Sequence, residues 1–253
     1  MSDGALRALA VLEKLASSGG LSAAELAREL DMSRATVSRL LHSLNDAGWI
    51  MQQDGTKRFV TTLRLVSIAS AALNNHATRS SLLPWLMELC ERANLHCALC
   101  FYENATLTVT DVAEPGDAGV TTHFDGRKYP AACTAAGKIL VAHQSEDEQR
   151  RVAAMGLPQF TPHTRTRPDE IWSDLQVTRA QGYGLSDREF TMKASGVSVP
   201  IFDRYDRAIS ALTVNIAGPI SAEFISSIAP VAKSVGGRAS LALGKSATDL
   251  YLA

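Results

Sequence analysis

The sequence predicts an α+β chain in two parts, a small mostly helical one followed by a larger one built on an antiparallel sheet. Three observations predict it. Three helical periods crowd into the first 47 residues and end at an Asp-Gly hairpin signal. From His96 onward, strand-like runs replace helical periodicity. Those runs are His96–Tyr102, Thr106–Val112, Ser195–Phe202 and Ala208–Ile216; they come in pairs, with helical stretches between and after the pairs.

Gly4–Ala16 reads as a helix with Leu6, Leu9, Leu12 and Leu15 near one side, ended by Gly19-Gly20. Ser22-Ala23-Ala24-Glu25 is a capping box opening a short helix with Leu26, Ala27 and Leu30 inward. Asp31-Met32 makes a tight turn into Ser33–Leu44, the stretch around which the first part is organised. There Val37, Leu40, Leu41 and Leu44 follow i, i+3, i+4, i+7, Ser33 caps the start, and Gly48 stops the helix. Trp49–Gln53 and Thr56–Val60 flank Asp54-Gly55, a pair expected to take positive φ at both positions of a hairpin turn. Lys57 and Arg58 lie on its second strand. Together these elements form a winged helix-turn-helix.

The polar face of Ser33–Leu44 carries Arg34, Thr36, Ser38, Arg39, His42 and Ser43. An ordinary amphipathic surface helix would also show one apolar stripe, but the flanking helix and wing favour a DNA major groove. Arg reads guanine edges or holds phosphates, and Ser and Thr suit either. The expected DNA contacts are Ser33, Arg34, Thr36, Ser38, Arg39 and His42, with Lys57 and Arg58 on phosphates.

The chain has 253 residues, 46% hydrophobic and 20% charged, which indicates a folded globular protein of more than one domain. Net charge is −1, and residues 1–62 hold seven Lys/Arg against seven Asp/Glu. DNA contact must therefore come from where the charges sit. No run approaches the roughly 20 apolar residues that span a bilayer, and no signal peptide precedes the first helix, so a cytoplasmic protein without membrane contact is expected. Cys97-Ala98-Leu99-Cys100 has the spacing of a metal or redox pair. On a strand, however, positions 97 and 100 face opposite sides, which makes the cysteines buried structural residues and leaves no metal site.

Thr62–Ala77 reads as a helix leading out of the wing, Asn74–Ser81 as a polar hinge, and Leu82–Arg92 as a helix with Pro84 in its first turn. Both helices are candidates for dimer contacts or for plain domain packing. The expected division is a DNA-binding domain at 1–62, a linker helix at 63–80 and a ligand-binding domain at 81–253. In the last, Glu114–Asp117 is a loop, Thr134–Gln144, Ser145–Met155 and Asp169–Gln181 are helices, Thr161–Pro168 is a polar loop, and Ser221–Leu243 closes the chain as a helix. An antiparallel sheet of this kind has one face free to form a ligand cavity.

Motifs for catalysis are missing: Gly196-Val197-Ser198-Val199 runs into Pro200 instead of completing a nucleophile elbow, and no Walker loop, G-x-G-x-x-G after a strand, or H-E-x-x-H occurs. Asp187 and Glu189 could serve as an acid–base pair, or be loop and strand charges solvated or paired with Arg188. No catalytic residue or cofactor is expected. The alternative function class is a small-molecule enzyme carrying an accessory DNA-binding-like domain.

Arg7-Ala8-Leu9 with Val11-Leu12-Glu13, then Ser33–Leu41 and the Asp-Gly wing, resemble the DNA-binding half of the IclR family of bacterial transcription regulators. The second half resembles that family's effector-binding domain in Thr134-Ala135-Ala136-Gly137-Lys138, Gly182-Tyr183-Gly184 with Asp187 and Glu189, Gly196–Pro200, and Ile201-Phe202-Asp203 leading to Ala211–Pro219. The resemblance covers nearly the whole chain. It implies a GAF-like fold for the second domain, a homodimer or homotetramer, operator DNA as partner, and a small-molecule effector. It also implies effector contacts at Tyr129, Ala135, Ala136, Ser186, Ala194, Gly196, Thr213 and Asn215, each of which could equally be ordinary sheet packing. The chain departs from the commonest pattern at Ser186, Thr213 and Asn215, which leaves the effector's identity open. Helix-end N–H groups, hydroxyls and small apolar residues suit a small organic acid, an aromatic one included. Gly196 is expected to be glycine either for space or for a backbone conformation such as a bulge or positive φ.

Overall fold

The computed structural model describes residues 3–103, 105–116, 119–122 and 129–246. It forms two compact units, 1–77 and 78–253. Asp117 of the loop at 114–117, and Asn104 between the first two long strands, lie outside the described residues.

The first unit contains α1 (Asp3–Ser18), β1 (Leu21–Ser22), α2 (Ala23–Glu29), α3 (Arg34–Asp46), β2 (Ile50–Gln52), β3 (Arg58–Thr61) and α4 (Arg64–Asn74). Its strands form an antiparallel sheet in the order β1-β3-β2. The core joins Val11, Leu12 and Leu15 of α1 to Leu26, Val37, Leu41, Leu44 and Ile50. Leu6 and Leu9 are not in it; they are 54% and 57% exposed. Steps of three residues drift around a helix of 3.6 residues per turn, so the buried stripe runs through Ala8, Val11, Leu12 and Leu15 instead.

The caps follow the sequence. Ser22 Oγ accepts from Glu25 N–H at 3.3 Å while Ser22 N–H donates to Glu25 Oε2 at 2.8 Å. Ser33 Oγ accepts from Thr36 N–H at 3.2 Å. At the far end of α3, Gly48 takes φ +74°, with Gly48 N–H bonded to Asn45 O and Trp49 N–H to Leu44 O, the paired bonds of a Schellman motif. The wing departs from expectation. Only Gly55 has positive φ (+70°), and residues 53–57 all lie between the strands, with Thr56 N–H closing the turn onto Gln53 O at 3.1 Å. This sign pattern is that of a type II turn, which asks for glycine only at its third position. Arg64 of α4 stacks over Trp49 at 4.5 Å and donates to Ala47 O, tying α4 to the end of α3.

All but the first residue of α5 (Ala77–Ala93) belongs to the second unit and opens it. The expected polar hinge at 74–81 is reduced to a break at Asn75-His76, and Pro84 lies inside α5 rather than in its first turn. Buried Leu82, Leu86 and Leu89 hold the helix to the core despite the backbone bond that proline removes. The strands β4 (Cys97–Glu103), β5 (Thr106–Ala113), β6 (Val120–Thr122), β7 (Tyr129–Pro130), β8 (Gly184–Asp187), β9 (Ala194–Phe202) and β10 (Ala208–Ala217) form one antiparallel sheet. Its order is β6-β5-β4-β10-β9-β8, with β7 also on β5. One face packs on α5 and α9 (Ala222–Ala242) through Val197, Val199, Leu212, Val214, Ile228 and Val235. The other, through Ala98, Cys100, Leu107 and Ala211, packs on α6 (Ala135–Ala142). Outside α6 lie α7 (Glu146–Ala154) and α8 (Pro168–Gln181), packed on Val141 and Ala142 through Val152, Ile171 and Leu175. Every residue of α6 is therefore buried, which is why the helix is almost wholly apolar. Cys97 belongs to the α5/α9 side and Cys100 to the α6 side, so the two thiols face apart.

Candidate functional site

Two regions carry the expected functional residues. On the first, α3 presents Arg34, Ser38, Arg39 and His42 to solvent, with Thr36 half-buried. Arg34 and Arg39 engage no other described residue. Ser33 and Thr36 hydroxyls bond each other at 2.9 Å at the helix start, and His42 Nδ1 lies 2.9 Å from Ser38 O. Lys57 is exposed on the wing and unengaged among the described residues. Arg58 differs. Its Nη2 pairs with Glu25 Oε1 at 2.9 Å and its Nε donates to Gly20 O at 3.3 Å. The pairing of β1 with β3 puts Arg58 beside Ser22, within reach of the α2 cap. It thus fastens the wing to α2 rather than standing free for phosphate.

The second region is a cavity of about 250 Å³ in the second unit, between the sheet and the first turn of α6. Tyr129, Ala135, Ala136, Ser186, Ala194, Gly196, Thr213 and Asn215 all line it. The register explains how distant residues meet. Ser186, Gly196 and Asn215 form one row across β8, β9 and β10, and Thr213 sits in the next row beside Ser198 and Ala98. Close approach of α6 depends on missing side chains: a Cβ on Gly184 would lie 2.0 Å from Ala135 O, and one on Gly137 2.2 Å from Ala131 O. Neither positive φ nor a bulge explains Gly196. Its φ is not positive, its pairing with β10 is unbroken, and a Cβ would meet Asn215 Oδ1 and Val214 O at 3.3 Å.

The polar groups of the cavity divide by role. Thr134 caps α6, accepting from Gly137 N–H at 3.3 Å, and the N–H groups of Ala135 and Ala136 have no partner among the described residues. Ser186 Oγ donates to Cys133 O at 3.0 Å. Ser198 Oγ donates to Leu212 O at 3.0 Å, so the 2.9 Å bond between Ser198 and Thr213 uses the Thr213 proton. Ser186 and Thr213 therefore offer lone pairs to the cavity, whereas Ala135 N–H, Ala136 N–H and the Asn215 amide offer donors. Among the described residues, no Lys, Arg or His lines the cavity. Burial pushes the Cys100 thiol, which also lines the cavity, up to about 12.

Charge lies directly behind the cavity. Lys138, buried on α6, reaches Glu189 Oε1 at 2.5 Å, Asp174 Oδ2 at 2.7 Å and Leu185 O at 3.0 Å. Arg165 Nη1 reaches the same Glu189 oxygen at 2.8 Å. Glu189 is thus neither solvated nor paired with Arg188, contrary to the simpler expectation, because the 157–167 loop and α6 enclose it. Asp187 does pair with Arg188, at 2.9 Å. That guanidinium, with the Ser195 hydroxyl, holds the Asp187 carboxyl down to about 2. Among the described residues, nine further lining residues were outside the expected set, Phe190 and Thr191 included. Those two lie in the connection between β8 and β9, where neither period nor motif marks a residue as inward.

A winged helix-turn-helix with a free arginine face, combined with a separate unit enclosing a metabolite-sized cavity, defines a ligand-responsive DNA-binding regulator. The model of the IclR helix-turn-helix domain matches residues 4–54, and that of the bacterial transcriptional regulator IclR C-terminal domain matches residues 70–222. The chain belongs to the IclR family of bacterial transcription regulators. It is 27% identical over 246 residues to the glycerol operon regulatory protein of Streptomyces coelicolor, covering 90% of this chain and 93% of that one. Its fold is similar to that of the IclR transcriptional regulator from Alicyclobacillus acidocaldarius (TM-score 0.78, 22% identity, 96% and 100% of the two chains). It is also similar to that of an IclR homologue from Microbacterium hydrocarbonoxydans complexed with 4-hydroxybenzoate (TM-score 0.71, 19% identity, 95% and 99%).

Proposed function

We propose that this chain binds operator DNA through α3 and the wing, and that a small organic acid, an aromatic one included, occupies the α6 cavity and changes its affinity for DNA. The observation that carries this is the pair of N–H groups at Ala135 and Ala136 that find no partner among the described residues, at the edge of a cavity that no described cationic side chain lines. A helix N-terminus favours a carboxylate. Tyr129, Ala194 and Gly196 leave room for an apolar body beside it, and Ser186, Thr213 and Asn215 can hold its polar groups. The aromatic acid bound by the Microbacterium homologue fits the same chemistry.

A regulator is favoured over an enzyme because the acidic candidates are committed elsewhere, Asp187 to Arg188 and Glu189 to Lys138 and Arg165. A homodimer or homotetramer is the proposed assembly, with residues 63–80 as the connection and the exposed Val66 and Ile68 of α4 available for contact with a second copy. No helix among the described residues is long and apolar enough to cross a membrane, and a DNA partner supports a cytoplasmic location. The test is fluorescence anisotropy on labelled DNA from upstream of its own and adjacent coding sequences, with benzoate, 4-hydroxybenzoate and pyruvate added in turn. A shifted DNA affinity with the acid recovered unchanged is expected. Consumption of the acid, or no sequence-dependent binding, would overturn it.

A further inference from the structure

We infer that Phe190 is the residue that discriminates among ligands in this cavity, and that Phe160, outside it, positions Phe190. The inference rests on the cavity being an effector site. Phe190, between β8 and β9, and Tyr129, on β7, both line the cavity. Their ring centroids are 5.4 Å apart with planes at 62°. Two aromatic walls thus meet at a corner. A planar ring can lie along one wall and direct its edge at the other, a contact no short aliphatic acid can make.

Behind Phe190 stands Phe160, in the loop between α7 and α8. Their ring centroids are 5.1 Å apart at 56°. Phe160 does not line the cavity and is 40% exposed. The same loop grips the backbone that carries Phe190. Thr161 Oγ1 donates to Arg188 O at 2.7 Å, Thr164 Oγ1 donates to Glu189 O at 2.6 Å, and Arg165 holds the Glu189 carboxylate. Arg188 itself sits at φ +55°, a conformation uncommon for a residue with a Cβ, and its N–H donates to Ser195 Oγ at 3.2 Å. Residues 188 and 189 are therefore fixed by polar bonds. The ring of Phe190 is outside that grip and takes its orientation from Phe160 on one side and Tyr129 on the other.

Deleting the Phe190 ring removes one wall of the corner but leaves the Ala135 and Ala136 N–H groups, Thr213 and Asn215 in place. A planar acid loses a contact surface; a short acid loses nothing. The test uses the full chain and the variants Phe190→Leu, Phe160→Leu and Phe160→Tyr, with benzoate and pyruvate as calorimetric probes. The seven phenylalanines are also replaced biosynthetically by 4-fluorophenylalanine, and the position 190 resonance is assigned from Phe190→Leu.

Benzoate affinity is expected to fall tenfold or more in Phe190→Leu, while pyruvate affinity changes less than twofold. Phe160→Leu is expected to move the position 190 fluorine line without ligand and to weaken benzoate in the same direction, and Phe160→Tyr to restore both. Equal weakening of both probes in Phe190→Leu, or of neither, overturns the discriminating role. An unmoved line in Phe160→Leu overturns the positioning role and leaves Phe160 as loop packing. If the wild type binds neither probe, the acid effector and the discriminating role fall together, and the fluorine line still decides what Phe160 does.

Discussion

Lys138 reaches Glu189 at 2.5 Å with both side chains buried, joining the helix that edges the cavity to the segment that follows β8. Asp174 and Arg165 complete a group of two cations and two anions. Cutting Glu189 from this group leaves the buried Lys138 ammonium with Asp174 as its one carboxylate partner among the described residues, shared with Arg165. Glu189→Ala is expected to destabilise the second unit by about 3–5 kcal/mol, and replacing Lys138 with Met in that background to recover part of the loss. Urea unfolding of the single and double variants measures both. A Glu189→Ala midpoint equal to the wild type would refute it.

DNA contact divides between α3 and the wing. Arg39→Ala is expected to weaken specific binding by about 1–3 kcal/mol, with folding and ligand binding unchanged. Lys57→Ala should weaken all sequences alike and lower the salt slope by about one. Because Arg58 is engaged by Glu25 and Gly20, Arg58→Ala should lower the melting temperature and change the salt slope less than Lys57→Ala. A larger slope change from Arg58 would show that its ion pair opens on DNA.

Gly196 separates space from backbone. Its unbroken register and ordinary φ predict that Gly196→Ala folds, with a small loss of stability from the 3.3 Å approach of its Cβ to Val214 O. Gly196→Leu should then fill the cavity and cut effector affinity tenfold or more, about 1.4 kcal/mol, with effector-free DNA binding retained. Melting curves and ligand titrations on both variants check this. An undiminished response in Gly196→Leu would place the ligand elsewhere.

His143 caps α6, its Nδ1 lying 2.9 Å from Ile139 O and its ring edge-on to Phe202. Burial, more than Arg179 or Lys245, holds its pKa below the ordinary 6.5. Protonation therefore favours the unfolded chain. The stability tied to His143 is complete above the unfolded value, falls as pH drops below it, and levels off beneath the lower folded value. Between pH 7.5 and 5.5 the urea midpoint of the wild type should fall, and His143→Gln should flatten that fall. Equal pH slopes in the two proteins would contradict it.

Much of this was legible along the chain. Ser22 with Glu25, Ser33, Gly48 and the pairs of long strands are local signals, because caps and strand alternation act over a few residues. The short strands β1, β6 and β7 were not legible, since two or three residues carry no period and pair only where the fold brings them. The fate of Leu6, Leu9 and Pro84 was misjudged for a related reason: the buried face of a helix depends on what packs against it.

By itself, the sequence determined the α+β class, the winged helix-turn-helix with its arginine face, and, through the family resemblance, eight of the residues that line the cavity. Tertiary structure alone decided that Arg58 is engaged, that Glu189 is buried against Lys138, and that Phe160, Phe190 and Tyr129 stand in a chain of rings. Those residues are tens of positions apart, on loops and different strands. Local periodicity says nothing about which of them meet; the sheet register and the seating of α6 on Gly184 do.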